Sequence, residues 1–171
     1  MAESFSNIID FTLVYNRSKT QLYNYVYKML SEKFIAEDIT QNVFLKLYEN
    51  LGNIRQSQSV IPWLYTTARN EVYMHLRKKK VRKEDGITEN TEYRSGEDLA
   101  GEIEGAEIKE LIQNGVEELR EDLKEAFILR QYSELSYKEI ANILNIEESQ
   151  VKGRLFRARQ ALTEKISKLV R

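Results

Sequence analysis

Lys152, Arg154 and Arg157 stand close together in the sequence, with Gly153 among them and Phe156 beside them. An arginine side chain can donate two parallel hydrogen bonds to a base edge, while a lysine is a compact charge suited to a phosphate oxygen. These residue types read nucleic acid; they do not make or break bonds. A second set has the same character. Trp63, Thr66, Asn70, Met74 and Arg77 recur at helical spacing, Tyr73 lies beside them, and the stretch runs into "RKKK" at 77–80. Flat rings next to a basic run suit unpaired bases, which stack on the ring while cations hold the backbone. No glycine-rich phosphate loop, nucleophile motif or carboxylate cluster is visible, so no catalytic residue is assigned. His75, with no second histidine and no cysteine in the chain, reads as a packed residue. No metal site or cofactor is expected.

The elements that must position these residues are helices. In "YKEIANILNIEESQVKGRLFRARQAL", residues 137–162, the apolar residues Ile140, Ala141, Ile143 and Leu144 make one stripe. Val151, Leu155, Ala158, Leu162, Ile166 and Leu169 make the next, at spacings of three and four. Asn145 falls between them, and asparagine is the commonest non-glycine residue in the left-handed conformation that ends helices. Two short helices joined this tightly are a helix-turn-helix, whose second helix enters the major groove. On a wheel at 100° per residue the face opposite the second stripe carries Ser149, Gly153 and Gln160, flanked by Gln150, Phe156 and Arg157. Arg157 and its polar neighbours are thus placed for base edges, Lys152 and Arg154 for phosphates. Arg159 sits nearer the core edge and reads as a packing or ion-pairing residue. Gly153 costs roughly 1 kcal/mol of helix stability against alanine, and it removes a side chain where the helix would come closest to DNA.

Two further helices have open faces. In "AEDITQNVFLKLYENL", residues 36–51, Ile39, Val43, Leu47 and Leu51 form the inner stripe, widened by Phe44. Asp38, Gln41, Asn42, Leu45 and Glu49 face outward, and a leucine among them suits a partner helix. In "SVIPWLYTTARNEVYMHLRKKK", residues 59–80, Ser59 can cap the helix and Pro62 is tolerated only in its first turn. Ile61, Leu64, Ala68, Val72 and Leu76 face inward, which puts Trp63 outside.

The 171-residue chain has a net charge of -1, yet its charges are segregated. Residues 77–83 hold six basic residues in seven; residues 84–110 hold ten acidic residues against Arg94 and Lys109; residues 149–171 hold seven basic residues against Glu164. Such blocks cancel in the sum but not in space. The acidic block contains four of the seven glycines and reads as a flexible linker extended by self-repulsion. The expectation is an all-α fold of two small helical domains, 1–81 and 107–171, joined by an acidic linker at 82–106. The lack of cysteine fits a reducing compartment. Without a secretory signal or an apolar run of membrane length, a soluble, cytoplasmic protein that does not insert into membranes is expected.

Taken in series, "AEDITQNVFLKLYENL", "PWLYTTARN" running into "RKKK", a linker and "LSYKEIANILNIEESQVKGRLFRAR" resemble the small two-domain sigma factors of bacterial RNA polymerase. These form the extracytoplasmic-function (ECF) group of the sigma-70 family, and the resemblance spans roughly residues 5–170. It implies a region 2-like domain that docks on the clamp helices of the polymerase core through Asp38, Gln41, Asn42 and Leu45. It implies capture of the melted −10 strand by the loop "GNIRQSQS" and the following helix, with Ile54 and Asn70 at the base-pocket positions. Arg55, Trp63, Tyr65, Arg77 and Lys78 are the neighbouring −10 candidates. It implies a region 4-like helix-turn-helix domain, which touches the flap of the core and reads the −35 element. The recognition-helix positions are Ser149, Gln150, Lys152, Gly153, Arg154, Phe156 and Arg157. Family linkers thread into polymerase channels that otherwise hold nucleic acid, and the acidic block has the charge to imitate one. The implied partners are polymerase core, promoter DNA and an anti-sigma factor, with the free protein a monomer. Gly153 stands where serine is frequent in the family, Ile54 where an aromatic residue occurs in some members, and Asn145 where glycine is frequent. Of two rival readings, a dimeric helix-turn-helix regulator leaves the outward Leu45 face and Trp63 unexplained, and an adaptor whose basic blocks bind acidic proteins would not be competed by promoter DNA with an unpaired −10 strand.

Overall fold

The computed structural model describes residues 2–54, 60–87 and 103–169, with side chains described from residue 10 in the first stretch and 105 in the last. Among the described residues there are seven α-helices and no strand. They are α1 (Ala2–Leu30), α2 (Lys33–Asn50), α3 (Val60–Glu84), α4 (Ile103–Glu117), α5 (Glu121–Gln131), α6 (Tyr137–Leu144) and α7 (Glu148–Leu169). A single 3-10 turn, Leu51–Asn53, follows α2. The chain divides into two compact units, one built on α1–α3 and the other on α4, α5, α7 and most of α6.

In the first unit each pair of helices packs together. Ser18, Leu22, Tyr25, Val26 and Met29 recur every three or four residues along α1 and are buried, as a helix with one apolar stripe demands. Ser31, in the left-handed region at φ 57, donates its N–H to the Tyr27 carbonyl at 2.7 Å and ends α1. The chain then reverses into α2, which buries Ala36, Ile39, Val43, Phe44 and Leu47. Leu51, expected in that stripe, lies in the 3-10 turn and is only half-buried. α3 begins at Val60, so Pro62 lies in its first turn, where its missing N–H costs nothing. Its buried residues are Val60, Leu64, Tyr65, Ala68 and Val72, while Ile61 and Leu76 are half-buried. The inward face is therefore turned slightly from the stripe the sequence suggests. The ring of Tyr65 meets that of Tyr25 edge-on at 5.7 Å, which draws this side of the helix into the core.

α3 continues through the basic run to Glu84, three residues past the expected boundary at 81. It stops in a two-bond cap: Gly86 at φ 76 donates to the Lys83 carbonyl and Ile87 to that of Arg82. Glycine takes that conformation without steric cost. Of the expected linker, residues 88–102 lie outside the described residues, and the acidic residues from 104 to 110 belong to α4.

In the second unit α7 packs on both α4 and α5. α5 buries Leu123, Ala126, Phe127, Ile128 and Leu129; α7 buries Val151, Leu155, Ala158 and Leu162. Gly115 lets α4 lie close against α7, since a Cβ there would lie 2.8 Å from Leu162 Cδ2. Lys165 forms an ion pair with Glu118 beside it. The expected stripe of α7 fades at its end, where Ile166 is half-buried and Leu169 exposed.

Candidate nucleic-acid interface

α6 is short, and its two ends are held by local chemistry. Ser136 caps it by accepting from the Glu139 N–H at 3.2 Å, while the Glu139 carboxylate accepts from the Ser136 N–H at 2.8 Å. This reciprocal box satisfies donors that an isolated helix start leaves unpaired. Its signature, serine followed three residues later by glutamate, is present in "SYKE". At the other end Asn145 takes the left-handed conformation, φ 54 and ψ 50. The Ile146 N–H reaches back to the Ala141 carbonyl at 3.0 Å, and α7 starts three residues after the asparagine. The turn is as its residue type predicts.

On α7, Ser149, Gln150, Lys152, Phe156 and Arg157 are exposed, and Phe156 shows 67% of its surface. Gln150 accepts from the Glu147 N–H at 2.9 Å and so helps cap the helix start. Arg157 lies one turn beyond Gly153, its guanidinium folded back over the glycine: a Cβ at 153 would sit 3.7 Å from both terminal nitrogens. Nothing inside the fold demands a glycine there. Arg154, read from the sequence as lying at the margin of this face, is half-buried, and its charge acts on Asp122 at the start of α5. Hydrogen bonds from Arg120 at 2.6 and 2.7 Å are the main cause holding the Asp122 carboxyl below the usual carboxylate range, against some burial, with Arg154 adding to them. Arg159, expected to pack or pair, is exposed and takes no ion pair among the described residues. Lysine and arginine on the margins of a helix are long enough to swing either way, which a wheel does not resolve.

In the first unit the outer side of α2 presents Asp38, Gln41, Asn42, Leu45 and Glu49, with Leu45 61% exposed. Two residues the sequence reading did not pick out extend this face. Phe34 is 74% exposed and Tyr48 54%, and both follow the three-and-four spacing of Asp38, Gln41 and Leu45. That spacing was legible in the sequence.

Along α3, Thr66, Asn70, Met74, Arg77 and Lys78 are exposed. Trp63 is half-buried, so one part of the indole rests on the unit and another stays open. Tyr65 corrects the expectation outright. It is 2% exposed and packed on Tyr25, so its ring is not a stacking surface in this fold. Ile54 is half-buried at the end of the 3-10 turn, and Arg55 lies outside the described residues. The four basic residues at 77–80 also differ among themselves. Lys79 is hydrogen-bonded to Glu32 at 2.5 Å, and His75 approaches the same carboxylate at 3.4 Å. His75 is thus held in the structure, as its isolation in the sequence suggests.

A capped short helix, an asparagine turn and a second helix with an open basic face define a helix-turn-helix protein of the nucleic-acid-binding class. Comparison with known proteins specifies it. The family model Sigma-70 region 2 matches residues 14–82, and Sigma-70, region 4 matches residues 109–162. The chain is similar to the ECF RNA polymerase sigma factor SigM of Bacillus subtilis, 33% identical over 151 residues that cover 87% of this chain and 90% of that one. It is also similar to the RNA polymerase sigma-H factor of Pseudomonas aeruginosa, 32% identical over 80% of this chain and 75% of that one. Among solved structures, the sigma factor RpoE in complex with the anti-sigma factor NepR, from Bartonella quintana, shares the fold. Its TM-score is 0.75 at 24% identity, covering 92% of this chain and 97% of that one. The chain belongs to the sigma-70 family, in its ECF group.

Proposed function

We propose that the chain is a promoter-specificity subunit that joins RNA polymerase core through α2, captures the opened −10 strand along α3 and reads the −35 duplex with α7. It acts as a transcription initiation factor in the bacterial cytoplasm, contributes no bond chemistry of its own and is held in check by an anti-sigma protein. The observation that carries the reading is the open face of α7, where Phe156 and Arg157 project beside a glycine that the fold itself does not need. Arg157, Ser149 and Gln150 address base edges; Lys152 addresses phosphate. The exposed Leu45, set among Asp38, Gln41 and Asn42, supplies an apolar anchor for the clamp helices of the core. Exposed Asn70, the open part of Trp63, and Arg77 and Lys78 beyond them favour a single strand, because bases held after unstacking repay the cost of opening the duplex. Ile54 and Arg55 belong to the same strand-capturing region, while Tyr65 supports it from the core.

The test is Asn70→Ala in holoenzyme reconstituted with polymerase core. Open-complex formation on a double-stranded promoter should fall well below that of the parent, while binding to the same promoter with a pre-melted −10 strand falls less. Equal loss on both templates would assign Asn70 to the fold and overturn strand capture along α3.

A further inference from the structure

Gly153 and Arg157 stand one helical turn apart on α7, and the arginine reaches back along the helix toward the glycine. A Cβ built at 153 would lie 3.7 Å from each terminal nitrogen of the guanidinium and 4.0 Å from its central carbon. The two nitrogens are equally near and the carbon lies farther, so the donor fork itself is turned to the bare backbone. Other arginines of this unit are engaged. Arg120 donates twice to Asp122, and Arg130 donates to the Leu135 carbonyl at 2.8 Å. Arg157 takes no hydrogen bond or ion pair among the described residues.

A fork distinguishes guanine best when two of its donors are free together, because the contact is bidentate. Position 153 controls that freedom. A hydroxyl carried one bond beyond a 153 Cβ comes within hydrogen-bond reach of the fork, about 2.7–3.2 Å. Serine within a helix donates to the carbonyl four residues back, which leaves its oxygen able to accept from Arg157 one turn on. The arginine would then be held against its own helix with a donor spent. A methyl group at the same place offers no acceptor, and 3.7 Å is ordinary van der Waals contact, so it would leave the fork as it is.

We propose that Gly153 is a positioning residue for −35 recognition: by offering the Arg157 fork no acceptor, it keeps both donors available to one guanine. The proposal rests on the reading of α7 as the −35 helix. It concerns discrimination between bases, which is separate from how closely the helix approaches the duplex.

The experiment measures holoenzyme affinity for promoter fragments in which each −35 base pair is changed in turn. Arg157→Ala identifies the base pair whose discrimination depends on the fork. At that base pair Gly153→Ser should lower discrimination about two- to tenfold, the worth of one hydrogen bond, and should leave the other base pairs as in the parent. Gly153→Ala should keep the parent's discrimination at every base pair, whatever it does to overall affinity. In the Arg157→Ala background Gly153→Ser should no longer affect discrimination. If the serine variant behaves as the alanine variant does, or sharpens discrimination, the positioning role is overturned while the −35 reading stands. If Arg157→Ala changes discrimination at no base pair, the −35 reading of α7 fails, and the role of Gly153 with it.

Discussion

Two glycines show how one residue type serves opposite ends. A Cβ at Gly153 would meet nothing closer than the Arg157 guanidinium at 3.7 Å, whereas at Gly115 it would lie 2.8 Å from the Leu162 side chain. Alanine is favoured over glycine in a helix by about 1 kcal/mol, so Gly153→Ala should raise the thermal midpoint of the free protein. It should not improve −35 binding if the bare backbone is what lets the helix approach DNA. Gly115→Ala should lower the midpoint, because Leu162 is buried and cannot move aside without strain of about 1–3 kcal/mol. Thermal melts of the two variants check both signs. Matching shifts would mean that α4 and α7 can separate more freely than their packing suggests.

At the level of the helix, ends matter as much as faces. α6 has only eight residues, too few to persist by propensity alone, so its capping box and left-handed asparagine carry much of its definition. Ser136→Ala should cost about 1 kcal/mol, seen as a lower denaturation midpoint, and should weaken −35 binding by misplacing the turn. A second end effect is electrostatic. Burial raises the pKa of Glu32, at the start of α2, but the hydrogen bonds and charges of Lys79 and His75 outweigh it and hold the carboxyl below its ordinary range. A lowered carboxylate pKa contributes stability above the unfolded value, about 4.3 for glutamate, and that stability is lost as pH falls through the lower folded value. The melting difference between the parent and Glu32→Gln should therefore be present at neutral pH and close as the pH drops below about 4. A gap independent of pH would assign Glu32 a role other than charge. The same pairing leaves Arg77, Lys78 and Lys80 as the more available cations of the basic run.

For the molecule as a whole, two units on one chain address two sites on one DNA. Once either unit is bound, the other meets its site at an effective concentration set by the connection between them, so two weak readings combine into a selective one. Lengthening the spacer between the −35 and −10 elements by about five base pairs, half a helical turn, should put the second site out of reach on that face. Promoter-directed transcription by the holoenzyme should collapse, while binding to an isolated pre-melted −10 strand remains. Full activity on the lengthened spacer would mean that the two readings act independently. Among the described residues no helix is long and apolar enough to cross a membrane.

The sequence by itself determined the helices, their exposed faces and the turn at Asn145, because these follow from a period of 3.6 residues and from the backbone preference of single residue types. It also exposed Leu45, Asn70, Phe156 and Arg157, whose neighbours on the helix are close in the chain. Tertiary structure alone decided which aromatic rings are available and which charges are engaged. Tyr65 is removed from the interface by Tyr25, forty positions earlier, and Lys79 is claimed by Glu32 at a separation of 47 residues. The charge of Arg154 adds to the field of Arg120 on Asp122, and the Tyr137 ring has both Arg130 and Lys152 near it. A wheel reports the direction a side chain leaves its helix. What it meets there depends on another helix, placed by packing that no local pattern encodes.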